Sequence, residues 1–427
     1  MPLQILSWKM KKFKLLILLA LSSCSFFINK LDTELVKKES YLNNLPEVAT
    51  YCPMDYRPKV QLINNNSFSQ GLYQDFFIKN PQLDFFDHFA LWSLLQFAIR
   101  PDQSSPSSRY QVILVVKGQN HYFDFFSEQN ENQFPTLFGI ELVLKKFNKN
   151  KSLEFYASLI DQHFIQKLKV EKSFEVFLSS NKEKIKEDPI LGPFFIRGTE
   201  VLKENERLPK LSFQKVIQHY RRFNKDQKII VNTSLNSFKT ESGQTGKCNY
   251  DFNLYSSSIF LIDKMVPASN LFGLSIQTDA FMASSSQKLD LIKPINDFPL
   301  FDGESKVRSS AVCIIENTPN LIWTFSNLSR DPGQHLFHLV RYGLTRAQST
   351  QEVDTLIRHS RHLFLSDPVR LIIESNRSPK DQIENLLKLN LPIYNAEKLG
   401  NVWAFTSMKG ANRFIIDDRN SGSFTCK

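Results

Sequence analysis

Apolar positions along this chain change rhythm several times, and each rhythm predicts an element. In "PQLDFFDHFALWSLLQFAIRP", residues 81–101, Leu83, Phe86, Phe89, Ala90, Leu94, Phe97 and Ala98 recur at helical spacing between two prolines. That spacing predicts an amphipathic helix with Asp84, Asp87 and His88 along its polar edge. The next run, "YQVILVVKGQNHYFDFF", is β-rich on both sides of Gly118-Gln119-Asn120 and predicts a hairpin. "GIELVLKKFNKNKSLEFYASLI" repeats the idea around Asn148 to Lys151, so a four-stranded antiparallel meander is expected, with the preceding helix on one face. Residues 161–187 and "LSFQKVIQHYRRF" return to helical character.

A second strand-rich region follows: "QKIIVNTSL", "CNYDFNLYSSSIFLID", "FGLSIQTDAFMASS", "SSAVCIIEN" and "NLIWTFS". The tail mixes helices ("DPGQHLFHLVRYGL", "STQEVDTLIRHSRHLF", "SPKDQIENLLKL") with strands ("VRLIIES", "NVWAFT", "RFIID"). Asp331 and Ser349 or Thr350 stand where helix caps belong. No internal repeat of useful period is present. The pattern predicts an α+β chain with two β-containing lobes. The N-terminal lobe, 48–190, carries the meander; 191–227 is a helical connector; the C-terminal lobe, 228–427, is β-rich and then mixed.

One apolar run does not belong to either lobe. "MKKFKLLILLALSSCSFF", residues 10–27, has only seven consecutive apolar residues, Leu15 to Leu21, where a membrane span needs about 20. With Lys9, Lys11, Lys12 and Lys14 before it and small residues after it, the stretch reads as a signal peptide. Its end, Leu21-Ser22-Ser23-Cys24, resembles the lipobox of bacterial lipoproteins. The resemblance covers about the first 24 residues and implies removal of residues 1–23, lipidation of Cys24 and a tether over 24–47. Two or more acyl chains hold a protein stably on a bilayer. Ser25, in place of an aspartate, implies an outer-membrane anchor facing the periplasm. The membrane is thus an expected partner, together with an envelope protein, lipid phosphate or cell-wall polymer.

Composition refines this picture. The formal charge is +10 over 427 residues, and hydrophobic residues make up 42%, enough for sizeable cores. Without the four leader lysines the balance is 49 basic against 43 acidic residues, which is too modest an excess to imply nucleic acid. Setting Cys24 aside leaves Cys52, Cys248, Cys313 and Cys426, an even number suited to two disulfides in an oxidising compartment. Spacing does not choose among their three pairings. The 37 phenylalanines, many in pairs such as Phe76-Phe77 and Phe85-Phe86, are read as core residues.

Candidate chemistry concentrates in the tail. Between Arg330 and Arg377 there are seven arginines and no lysine, and four of the eight histidines. His335-x-x-His338 and His359-x-x-His362 each place two imidazoles on one helix face, a weak zinc pattern opposed by the nearby arginines and by the lack of a carboxylate-bearing motif. Arg330, Arg341, Arg346, Arg358 and Arg361 suit an anion site, since a guanidinium binds phosphate or carboxylate bidentately; pairing with local acids is the plainer reading. No GxSxG, Walker loop or GxGxxG is present, and no cofactor is indicated. The expected function is a lipid-anchored binding or structural component of the envelope. The alternative is a hydrolase or transferase on envelope polymers or lipids whose active site spacing does not reveal.

Overall fold

The computed structural model of the chain describes residues 60–64, 67–129, 132–257, 269–289, 291–307, 310–317, 319–366, 369–389, 392–419 and 423–426, with the two-residue strand Glu34–Leu35. Cys24 and Cys52 lie outside these residues. The described residues form two compact units, the smaller from Glu34–Leu35 and the described part of 359–399, the larger from the rest. Among the described residues no helix is long and apolar enough to cross a membrane.

In the larger unit thirteen strands make two sheets. They are, in chain order, β1 (Val60–Asn64), β2 (Arg109–Val116), β3 (Gln119–Phe126), β4 (Ile230–Asn232), β5 (Asn236–Lys239), β6 (Thr245–Cys248), β7 (Ser269–Ile276), β8 (Asp279–Ser286), β9 (Ala311–Asn317), β10 (Asn320–Asn327), β11 (Asn401–Met408), β12 (Ala411–Ile415) and β13 (Ser423–Cys426). The first sheet runs β13-β1-β7-β8-β2-β3-β4, the second β12-β11-β10-β9-β6-β5. All these pairings are antiparallel. Strands from before and after 191–227 therefore pair in one sheet, and both β-rich regions feed the same sandwich. The α+β class holds.

Strand alternation sorts side chains to two faces. Ile63, Ile113, Met282, Leu271, Val312, Trp323, Phe325, Trp403 and Phe405 form an apolar layer from both sheets. The other face of the first sheet (Leu62, Val112, Phe123, Phe272, Phe281) packs on helices α1 (Ser67–Lys79), α2 (Phe85–Ile99), α3 (Pro135–Lys146), α4 (Leu153–His163) and α5 (Phe213–Arg222). The other face of the second sheet packs on α6 (Pro332–Tyr342) and α7 (Thr350–Arg358). Four layers result, helices outside and two sheets within.

Local chemistry explains most elements. The β2–β3 hairpin turns on Lys117 (φ 50°) and Gly118 (φ 77°), the positive-φ pair that a two-residue turn matching strand twist requires. The predicted helix is α2, capped by Asp84, whose side chain accepts from the Asp87 amide while Asp87 reciprocates. Every residue of α2 is buried, so the expected polar edge is internal rather than solvated. Asp87 receives Lys151 Nζ at 2.7 Å and Tyr156 Oη at 3.0 Å, and His88 Nδ1 lies 2.9 Å from the Tyr73 hydroxyl.

The second hairpin of the expected meander is not formed. Its sequence makes α3 and α4, because Ile140, Val143 and Leu144, then Leu153, Tyr156, Ala157 and Ile160, fall at helical spacing. Pro135 starts α3 at a position where its missing N–H costs nothing. The β-branched residues suggest strands, but the period decides. Gly139 lets α3 lie on the sheet, since a Cβ there would come within 2.6 Å of the Phe125 ring.

Burial draws His88 down to about 4, outweighing the opposing pull of Asp87 and Asp84. A histidine kept neutral in the fold contributes stability that is present above its unfolded value near 6.5 and is lost as pH falls toward 4. The loss should reach roughly 3 kcal/mol for a shift of this size. Urea midpoints measured from pH 7 to pH 4 should therefore fall more steeply for the native protein than for His88→Gln; parallel curves would contradict this.

The smaller unit holds the sheet Glu34–Leu35, Ile393–Asn395, Val369–Ile373, His362–Ser366, with helix Lys380–Leu387 against it. Its strand His362–Ser366 corrects one expectation. The predicted helix "STQEVDTLIRHSRHLF" ends at Arg358, and burial beyond it alternates, with Leu363 and Leu365 inside. His359 and His362 therefore do not share a helix face.

Candidate functional site

The apolar layer between the sheets gives way to polar residues at one end. On β7 the interior row passes from Leu271 to Ser269, on β8 from Met282 to Ser284 and Ser286, on β2 from Ile113 to Gln111 and Arg109, and on β10 from Phe325 to Asn327. Register brings them together: Ser269 pairs with Ser286, Ser286 with Arg109, and Asn327 with Asn401. All of these are buried.

Hydrogen bonds cross between the sheets here. Asn327 Nδ2 donates to Ser269 Oγ at 2.7 Å. Ser310 Oγ donates to Ser284 Oγ at 2.8 Å, and the Ser310 amide to Gln111 Oε1 at 3.0 Å. Arg109 grips Asp124 with two bonds, 2.7 and 2.5 Å, and Gln111 and Tyr122 complete the carboxylate's shell. Behind Ser269, on the helix face, Asn270 donates to Gln96 at 2.7 Å. Among the described residues, buried side-chain oxygens at this end without a hydrogen-bond partner include Asn327 Oδ1 and Ser286 Oγ on the interior side.

Beyond β10 the chain turns through Leu328 in the left-handed region (φ 54°), a conformation branched residues rarely adopt and one that clusters at functional sites. Ser329 follows, and its Oγ lies 2.6 Å from His335 Nε2 on the first turns of α6. Asp331 caps α6 by accepting from the Gln334 amide. Gly400 (φ 57°) packs on this turn so closely that a Cβ would meet Ser329 Cβ at 2.8 Å and Asn327 O at 2.9 Å.

The residues singled out from sequence are placed differently. Cys248 and Cys313 form a disulfide between β6 and β9, where they are register partners. Cys426 lies on β13 opposite Gln61. Arg341 pairs with Glu241 at 3.2 Å, and Arg358 with Asp354 at 3.0 Å. Arg346 is exposed and Arg330 half-buried, while Arg361, in the smaller unit, donates to Leu399 O. Arg358 and Arg361 thus belong to separate units. Of the histidines, His335 reaches Ser329, His338 lies tilted beside the Phe337 and Tyr342 rings, and His362 is pulled down to about 4 by burial and by His359. Among the described residues no group of three or more His, Cys, Asp or Glu is placed to hold a metal.

Ser269, Asn327 and Ser329 match no motif in the sequence. The signal available was compositional: "SNLFGLSIQTDAFMASSS" is a hairpin with hydroxyls at the two ends that register brings side by side.

No protein-family model matches the sequence, and no curated protein matches it. Solved structures do share the fold. A substituted form of the protein LmbA2991 superposes with a TM-score of 0.65 at 7% identity, over 89% of this chain and all of that one. The LmbA2991HD structure gives 0.64 at 7% identity, over 90% and 100%. Cephalosporin acylase from Bacillus halodurans gives 0.52 at 8% identity, over 90% of this chain and 99% of that one. At such identities the likeness is one of fold.

Proposed function

We propose that this protein is an acyl hydrolase or acyl transferase of the cell envelope, with Ser269 as its nucleophile, held at the membrane by lipid on Cys24. The observation that carries the reading is the place of the Ser269 hydroxyl. It stands at the first residue of a central strand, buried between the sheets and gripped by Asn327 from the opposite one. The shared fold with an acylase supports an enzyme over the binding component that the lack of motifs favours.

A serine hydroxyl needs a base. Among the described residues, no His, Lys, Asp or Glu side chain hydrogen-bonds Ser269 Oγ. The base within reach is the serine's own α-amine, which is free only after the chain is cut on its amino side, the arrangement of an N-terminal-nucleophile hydrolase. Such a cut balances without any cofactor. Oγ attacks the preceding carbonyl carbon, an ester C–O bond forms and the peptide C–N bond breaks, with the hydroxyl proton passing to the departing nitrogen. Water then hydrolyses the ester, leaving a carboxylate on one chain and Ser269 with free hydroxyl and amine on the other. The same pair then serves substrate: Oγ attacks an amide or ester carbonyl, the amine takes the proton and returns it to the leaving group.

Intact mass measurement of the purified protein should find a chain beginning at Ser269, and p-nitrophenyl acetate should give a burst that acylates Ser269. Ser269→Ala should remain one chain and lose the burst at least a thousand-fold. An uncut, folded native protein would remove this reading.

The 2.6 Å bond between Ser329 and His335 favours a second reading, a serine–histidine pair that needs no cut. Under it, Ser329→Ala would abolish the burst and Ser269→Ala would spare it.

A further inference from the structure

We infer that Asn327 is a positioning residue that holds both halves of the nucleophile at once, its amide N–H on the Ser269 hydroxyl and its amide oxygen on the α-amine of the same serine. This rests on the proposed function, since that amine exists only after the cut.

The geometry is a two-point match. Asn327 Nδ2 already donates to Ser269 Oγ at 2.7 Å. Its Oδ1 is buried, accepts from no group among the described residues, and belongs to a residue that is 1% exposed. An orphaned buried acceptor costs about 1–3 kcal/mol, so it marks a place where a donor belongs. Covalent geometry sets the two amide atoms about 2.3 Å apart, and the amine and hydroxyl of a serine in a gauche rotamer about 3 Å apart. With Nδ2 seated on Oγ, the spacing of the two pairs lets one orientation of the amide turn Oδ1 to the amine nitrogen. The backbone of Asn327 is fixed where β10 and β11 pair it with Asn401 and Gly400 packs against its carbonyl, and its side chain is held by the bond to Ser269.

The other ionisable groups at this end are already engaged or lie off the serine. On the first sheet Arg109 and Asp124 bind each other, with Tyr122 against Asp124. On the second, His335 contacts Ser329, Asp331 accepts from Tyr255 and the Gln334 amide, and Asp417 accepts from the Val402 amide and Arg419. Arg330 follows Ser329 in the turn. The bond to Ser269 Oγ comes from Asn327. A neutral acceptor steadies the amine without forcing it to stay protonated, which a base acting near neutrality requires.

The test measures the rate at which p-nitrophenyl acetate acylates Ser269 between pH 5 and pH 9, in native protein and in Asn327→Asp and Asn327→Ser, after mass measurement has verified the cut. A carboxylate at 327 holds the ammonium, so the acid limb of the Asn327→Asp profile should move up by at least one pH unit. Asn327→Ser shortens the reach and should slow acylation at least ten-fold, with the limb moved down. Coincident limbs in all three proteins would overturn the inference. A folded variant that stays uncut would overturn it too, assigning Asn327 to the cut rather than to the amine. A native chain never cut at Ser269 would instead overturn the underlying function.

Discussion

Replacing Arg109 with methionine is expected to lower stability by about 3–5 kcal/mol, the usual cost of stranding one partner of a buried ion pair. Asp124 is 2% exposed and is held by two guanidinium bonds, so the variant leaves a carboxylate inside the sandwich with only Gln111 and Tyr122 for company. Methionine keeps much of the arginine's length, which separates the loss of charge from the loss of packing. The double variant Arg109→Met with Asp124→Leu should recover most of the deficit, because a pair removed together leaves no orphan. Equilibrium denaturation with an unchanged m-value provides the measurement. A single variant as stable as the native protein would mean that water reaches this end of the sandwich. Because Arg109 is the register partner of Ser286, beside Ser269, the same variant also tests whether the pair keeps the polar end rigid.

Loss of the Cys248–Cys313 bridge is the second large effect. The cysteines are 65 residues apart, and closing such a loop in the unfolded chain is worth roughly 4 kcal/mol in chain entropy. Both are fully buried, with the Tyr250 hydroxyl 3.3 Å from Cys313 Sγ. The bond ties β6 to β9, and β5 is attached to the sheet through β6. Cys248→Ala with Cys313→Ala should cost about 3–4 kcal/mol and raise hydrogen exchange first in 236–248. Reductant should then shift the native midpoint but no longer affect the variant through this bridge. Equal midpoints for native and variant proteins without reductant would refute the assignment of stability to this bond.

Much of the fold was legible because periodicity reports which face of an element is buried. The α2 helix, the β2–β3 hairpin, β9 and β10 all lie where the apolar spacing puts them. The failures have local causes. In 139–160, β-branched and aromatic residues outweigh the helical period to the eye, yet Ile140, Val143 and Leu144 must lie on one face to meet the sheet. The polar edge of α2 misleads for another reason: a helix covered by other helices can bury Asp87 and His88 only because Lys151, Tyr156 and Tyr73, distant in sequence or on another helix, bond them.

The candidate site was the least legible part. The histidine and arginine cluster of the tail attracts notice by composition, but composition does not say which residues meet. Arg358 finds Asp354 on its own helix, Arg341 finds Glu241 from 100 residues away, and His359 leaves for another unit altogether. His335 does reach a polar site, where Ser329 is its partner.

By itself the sequence determined the α+β class, the main hairpins, cysteines compatible with a bridge, and the expectation of an envelope address, because each depends on a few neighbouring residues or on bulk composition. Only the tertiary structure decided that Ser269 and Asn327, 58 residues apart and on different sheets, share a hydrogen bond. Strand pairing brings distant serines to one end of the sandwich, and stacking of the sheets supplies the amide opposite. Neither event leaves a spacing in the chain to read.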